Sequence, residues 1–457
     1  MPPNSPLLDC SVAFPEEGYA DVRLEETVEH RIVLRDGHLE DVQSTSETGA
    51  LVRVQRNGSW LISSTTELDE VSEIVARLSA STSAPQGAGD SGVELLEIHR
   101  ERRLVFEERR IDGVPLKDKL ALLETFAGAL NRPSIKTWTA RWMDQHRERR
   151  FVSSRGADVH HDYQEGGVIL SFTLGEGAEA VSESFRLADH HFHTLCAAVD
   201  DALVRLNHHL DKCETFASRA VPVEPGTATV ILAPEVAGIF AHESFGHKSE
   251  ADFMLGDPAM MEEWKIGSRV AAEGVSIVDG GGGFGSGYMP YDDEGQPTQR
   301  TFLIQDGILM GRLHSSMTAA ALGEAPTANA RAISFRFEPI VRMTTTTFTP
   351  GPLTIRELFQ GVEDGYFIET ARHGSGMSTF TIAPGLAWRI RRGKLAEPVR
   401  VAVMTGTVFE TMGEIDGLSN EVEVPFLVGG GCGKMEQWPL SVGFGGPHVR
   451  VRRMSLA

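Results

Sequence analysis

Between Tyr19 and Ser63 the sequence alternates apolar and polar residues around two Xaa-Gly pairs, which restricts the start of the chain to antiparallel sheet. Tyr19–Glu25 (YADVRLE) and His30–Leu34 (HRIVL) suit half-buried strands, with Asp36-Gly37 supplying a turn. Ala50–Gln55 (ALVRVQ) and Trp60–Ser63 (WLIS) flank a second turn at Asn57-Gly58. Helical spacing of apolar residues follows at Glu67–Leu78, Lys117–Ala129 and Asp189–Ser218, with a strand-like block at Ala140–Thr173. These segments predict an α+β class, in which residues 1–221 form an antiparallel sheet with helices. Ser79–Gly92 (SASTSAPQGAGDSG) reads as a solvated insertion or linker. In residues 222–457 glycines are more frequent, and short strand candidates follow one another with turns at Asp306-Gly307, Arg392-Gly393 and Gly429–Gly433. A second, β-rich domain is expected there. No internal repeat at a fixed period is present.

Charge and cysteine usage narrow the partners and the compartment. Lys and Arg total 43 against 64 Asp and Glu, a net charge of −21 that repels phosphate backbones and anionic membranes. Neither nucleic acid nor a membrane is expected as a partner. No stretch approaches the ~18–20 apolar residues of a membrane span, and Met1–Ala20 lacks the pattern of a signal peptide. Cys10, Cys196, Cys213 and Cys432 lie far apart, which fits reduced thiols and a cytoplasmic location.

The chemistry concentrates in Ala241–Asp252 (AHESFGHKSEAD), where His242 and Glu243 precede His247 by five and four residues. In the familiar H-E-x-x-H arrangement, imidazoles four residues apart share one helix face and grip Zn²⁺ while the Glu activates water. A spacing of five turns the second ring about 140° away on a regular α-helix. A bulged or early-ending helix is therefore predicted, with a π turn restoring a common face and Gly246 easing the distortion. A catalytic zinc site needs a third protein ligand, for which Glu250, Asp252, the remaining histidines and Cys432 are candidates. Cys432 in Val428–Gln437 (VGGGCGKMEQ) is preferred, because its glycines let backbone approach closely, whereas Cys196 and Cys213 sit on a helical pattern among apolar residues.

Such a site implies metal-assisted hydrolysis, with Glu243 as general base for the metal-activated water and as donor to the leaving amine. Glu250 or Asp252 would accept from the free ring N–H of a ligating His. Arg331 and Arg342 are candidates for holding a peptide carboxylate or a developing oxyanion, set against surface salt bridges. The pairs His160-His161 and His208-His209, and the group His190, His191 and His193, put neighbouring rings on different faces and read as solvated or packing residues. Gly280–Gly287 (GGGGFGSG) is followed by a turn rather than a helix, so it reads as a lid or hinge and not as a nucleotide site. Asp292, Asp293 and Glu294 read as turn formers.

With these motifs assembled, the chain resembles the TldD/PmbA family of bacterial and archaeal metallopeptidases, on the TldD-like, metal-bearing side. The block AHESFGHKSEAD is similar to the family's H-E-x-x-G-H-x-x-E-x-D motif. Tyr291–Leu309, Pro326–Thr346, Gly429–Val449 and the amino-terminal YADVRLEE also fit, so the likeness covers nearly the whole chain. It implies a zinc peptidase with His242, His247 and Cys432 as ligands and Glu243 as base, acting on small or unfolded peptides. It also implies an enclosed site in a homodimer or a heterodimer with a related TldD/PmbA-type subunit. Arg372–Phe380 (RHGSGMSTF) departs from the family by lacking an Asp, and Leu313–Leu322 is unusually bland. Two other readings compete: hydrolysis of an amide or other C–N bond in a small metabolite, and a non-catalytic structural or regulatory subunit whose zinc is closed by four protein ligands.

Overall fold

A computed structural model describes residues 6–81, 92–177 and 180–457, so positions 82–91 of the expected insertion lie outside the described residues. The amino-terminal part is a seven-stranded sheet built on β1 (Tyr19–Arg35), β2 (His38–Arg56), β3 (Ser59–Thr65), β4 (Arg100–Arg103), β5 (Ile135–Ser153), β6 (Asp158–Leu174) and β7 (Val181–Asp189). The order is β3-β2-β1-β5-β6-β4, with β7 also on β6. Both Xaa-Gly turns form as expected: Asp36-Gly37 and Asn57-Gly58 take positive φ at both residues, the backbone that two-residue hairpin turns require. Helices Leu116–Ala127 and Val199–Arg219 bury Leu122, Phe126, Leu206 and Leu210 against Trp142 and Leu170 of the sheet, and helix Val71–Ser79 covers Val22 and Val52.

Two expectations change. The segments 19–25 and 30–34 are one continuous strand, because β1 is paired along its length by β2 and β5. Nor is its start half-buried: Asp21, Arg23 and Glu25 are as inaccessible as Ala20, Val22 and Leu24. Their face of the sheet is covered by the carboxy-terminal part of the chain.

That part holds a ten-stranded sheet in which Gly226–Leu232 lies between Val449–Leu456, antiparallel, and Asp364–Ile368, parallel. A smaller five-stranded sheet contains Ile277–Asp279, Thr345–Phe348 and Gly443–Gly445. The turns at Asp306-Gly307 and Arg392-Gly393 form at the expected places. Helix Pro234–Ala241 leaves Gly226–Leu232 directly and, apolar almost all round, packs as a buried core helix. A side chain at Gly238 would meet the backbone of Gly445 at 2.2 Å, so the helix runs in close contact with the smaller sheet. Among the described residues no helix is long and apolar enough to cross a membrane.

Asp292–Glu294 joins the two parts. Asp292 does shape a turn, accepting from the backbone N–H groups of Glu294 and Gln296. Asp293 meets Arg149 at 2.6 Å and Arg23 at 3.1 Å, and Arg149 also reaches Glu25 at 2.7 Å. Arg53 bridges Asp21 at 2.8 Å and Glu294 at 3.2 Å. All of these groups are buried, so removing one partner leaves an uncompensated charge, typically costing about 3–5 kcal/mol.

Asp293→Ala is therefore expected to lose stability on that scale in urea titration, and a loss below ~1 kcal/mol would contradict the network's role. His161, facing Tyr291 across the same junction, is pushed down to about 3 by burial and by Arg149. The unfolded chain binds this proton near pH 6.5 and the folded chain does not, so the contribution of neutral His161 is full above pH 6.5 and is lost as pH falls toward 3. Stability between pH 6 and 4 should fall more steeply than in His161→Gln, by up to about 1.4 kcal/mol per pH unit. Identical slopes would contradict it.

Candidate metal centre

At the end of helix Pro234–Ala241 the backbone widens into a π turn, His242–Gly246, followed by a 3₁₀ turn, His247–Ser249. The predicted distortion is present, and it brings the two imidazoles to 4.9 Å between ring centroids. Gly246 serves it for another reason than expected: its φ of −59° is ordinary helix. A side chain there would instead lie 2.0 Å from Met343 Sδ.

Cys432 opens a short strand, Cys432–Lys434, paired with Gln437–Leu440, and its Sγ lies 3.2 Å from His247 Nε2. The donor atoms of His242, His247 and Cys432 all fall within 4.8 Å of one another. Two imidazoles and a thiolate suit zinc, and His242 Nδ1 is buried without a hydrogen-bond partner. The fold thus assembles a fitting donor set.

The charge states agree with that use. Burial alone would raise the Cys432 thiol, but the imidazoles of His242 and His247 bring it down to about 5. It is a thiolate at neutral pH, the form that binds metal. Burial would keep His247 neutral, yet hydrogen bonds to Cys432 and Glu250 raise it to about 10. Metal uptake by these residues would release protons.

Of the two carboxylates expected behind the ligands, Glu250 is the one that faces a histidine. Its Oε2 lies 3.4 Å from His247 Nδ1, which leaves Nε2 toward Cys432. Asp252 instead accepts from Lys434 Nζ at 2.6 Å, and the same ammonium reaches Glu250 at 3.0 Å. Lys434, two residues beyond Cys432, was not singled out by the sequence reading; a lone Lys in a glycine-rich turn is its only signal.

The arginines separate. Arg342 is fully buried and donates to the carbonyls of Cys432 at 2.7 Å and Gln437 at 3.3 Å. It braces the Cys432 hairpin from behind, with Glu250 4.0 Å from its Nε, and its burial corrects the alternative of a surface salt bridge. Arg331 lines a separate cavity.

Glu243 stands with its carboxylate 4.0 Å from His247 Nε2, and it lines a cavity of about 680 Å³ together with the three candidate ligands. Strand Ala371–Gly376 runs over it: side chains at Gly374 or Gly376 would strike Glu243 at 3.0 and 2.6 Å. Arg372–Met377, part of the stretch Arg372–Phe380 singled out above, forms part of this cavity's wall. The Gly280–Gly287 loop borders the other cavity and is tied down there, Gly285 N–H donating to His190 Nε2 and Ser286 Oγ to the Leu427 carbonyl. Of the histidines outside the cluster, His193 and His208 are exposed, and His160 packs against Glu148 at 2.7 Å.

Comparison with known proteins agrees over most of the chain. Residues 225–457 match the PmbA/TldA metallopeptidase C-terminal domain, and residues 20–82 match PmbA/TldA metallopeptidase domain 1. A metalloprotease of Synechocystis is 32% identical over 448 residues, covering 95% of this chain and 93% of the relative. A zinc metalloprotease TldD homolog of Saccharolobus solfataricus is 26% identical over 447 residues, 96% of each. Among solved structures, TldE from Thermococcus kodakarensis superposes with a TM-score of 0.75 at 15% identity over 96% of each chain. A Thermotoga maritima protein solved as a modulator of a DNA gyrase gives 0.74 at 18%, with the same coverage. At those identities the structures speak to the fold alone.

Glu250→Gln removes the charge that orients His247 and is expected to weaken zinc binding about 10–100-fold, measured by competition with a chromogenic chelator. Unchanged affinity would contradict the positioning role.

Proposed function

Because the chain belongs to the PmbA/TldD metallopeptidase family, we propose that it is a zinc-dependent peptidase acting on small or unfolded peptides. The observation that carries this reading is the convergence of His242, His247, Cys432 and Glu243 on one cavity. His242, His247 and Cys432 would hold the ion. Zinc there supplies Lewis acidity and lowers the pKa of bound water, moderated by the charge its thiolate ligand donates.

Glu243 is the general base in this reading, taking the proton of the attacking water and delivering it to the leaving amine. Its neighbours keep it in place: strand Ala371–Gly376 over its backbone and His247 beside its carboxylate. Glu250 fixes the orientation of His247, while Arg342 and Lys434 fix the Cys432 hairpin against it. The cluster contains three protein donors among the described residues, which favours a catalytic site with an open position over a closed structural one. Domain limits near residue 221, a cytoplasmic setting, and assembly as a homodimer or with a related TldD/PmbA-type subunit complete the proposal.

Glu243→Gln is expected to retain zinc at the wild-type ratio and to lose at least about 100-fold in turnover of an unfolded peptide mixture. Retained turnover would remove Glu243 from the reaction, and lost zinc would recast it as a ligand.

A further inference from the structure

The second cavity has no role in the reading above. It has a volume of about 710 Å³ between β1, β2, β5 and β6 and the segments 285–288, 331–334, 428–430 and 439–441. Val428 and Gly430 line both cavities, so the glycine turn that presents Cys432 on one side walls the other. A chain lying across that turn would reach both.

Most ionised groups of this cavity lie beside an opposite charge or a hydrogen-bond donor. Glu25 is held by Arg149, Asp144 by Lys119 and His30, Glu47 by Arg336, and Glu29 accepts from Gln145. Arg147 donates to the Ile333 carbonyl at 2.6 Å and lies 3.7 Å from Glu25; Arg31 lies 4.0 Å from Asp41. Arg331 is 5% exposed and makes no salt bridge with an Asp or Glu among the described residues, although Asp293 and Asp279 act on it from farther off. It donates to the carbonyls of Met343 and Ser441, and its Nε is buried without a partner. By contrast, Arg23, Arg53 and Arg149, buried at the same junction, each meet at least one Asp or Glu at 3.1 Å or closer.

A buried cation without a close counter-ion is costly, and the terminal N–H groups of a guanidinium suit a carboxylate. Glu165 stands on the other side of Ser441, accepting from its Oγ at 3.0 Å while Arg331 binds its carbonyl. Burial pushes Glu165 up to about 7, so near neutrality a large share of it carries a proton to donate rather than a second negative charge.

We propose that this cavity is a carboxylate-binding subsite of the peptidase, in which Arg331 pairs with a carboxylate of the peptide whose scissile bond lies in the adjoining cavity. The carboxylate is the peptide's carboxy terminus or an acidic side chain. The inference rests on the peptidase reading, but its test does not require turnover.

Zinc-stripped full-length protein, in which no ion competes for the carboxylate, is titrated with three acetylated penta-alanine probes. One ends in a free carboxylate, one in an amide, and one in an amide with Asp at the last position. The acid should bind about 10-fold or more tightly than the plain amide. If the Asp amide matches the acid, any carboxylate is accepted; if it matches the plain amide, the subsite reads the terminus. Equal binding of all three overturns the proposal. Arg331→Gln should abolish the preference and Arg331→Lys should keep part of it, whereas an undiminished preference in Arg331→Gln overturns the assignment of this residue. Should Arg331→Gln fail to fold, the wild-type comparison still decides. Absence of hydrolysis in zinc-loaded protein would count against the peptidase reading without touching this result.

Discussion

Two imidazoles separated by five residues can share one ion only if the helix beneath them widens, and the rest of this molecule is arranged to keep it wide. The π turn at His242–Gly246 follows a helix enclosed between the two carboxy-terminal sheets, and Met343 packs where any side chain at Gly246 would have to go. A π turn is rare because its backbone geometry is poor compared with an α turn, so surrounding packing must over-determine it. Here that packing also brings both rings close to Cys432.

The opposite wall is built with equal economy from distant sequence. The Cys432 hairpin is held by Arg342 through its carbonyls and by Lys434 through Glu250 and Asp252, so the block that supplies His247 also supplies the anions that dock the thiolate turn. Beyond it, Asp293 and Glu294 collect arginines from β1, β2 and β5. The amino-terminal sheet thereby forms one side of the larger cavity, while the glycine turn 428–431 separates that cavity from the cluster.

Much of this was legible in the sequence where the determinant is local. Asp36-Gly37 and Asn57-Gly58 announce their hairpins through the positive φ that such turns demand. The five-residue spacing of His242 and His247 announces a distortion through helix geometry alone. Glycines around Cys432 marked a backbone able to come close. What was not legible depends on partners far along the chain. Asp21, Arg23 and Glu25 read as the wet side of an alternating strand, yet residues about 270–310 positions later cover them. Arg342 has no local cue that it faces a hairpin ninety residues away, and nothing near Arg331 in sequence tells that its charge lacks a close counter-ion.

Hydrolysis at this cluster requires a mixed nitrogen and sulfur site with room for one more ligand. Zinc-edge X-ray absorption on the purified, zinc-loaded protein reads this directly. The expected spectrum has one sulfur at about 2.3 Å and two imidazole nitrogens near 2.0–2.1 Å, with one further light atom that an added inhibitor displaces. A shell without sulfur, or one closed by four protein ligands, would contradict the central claim.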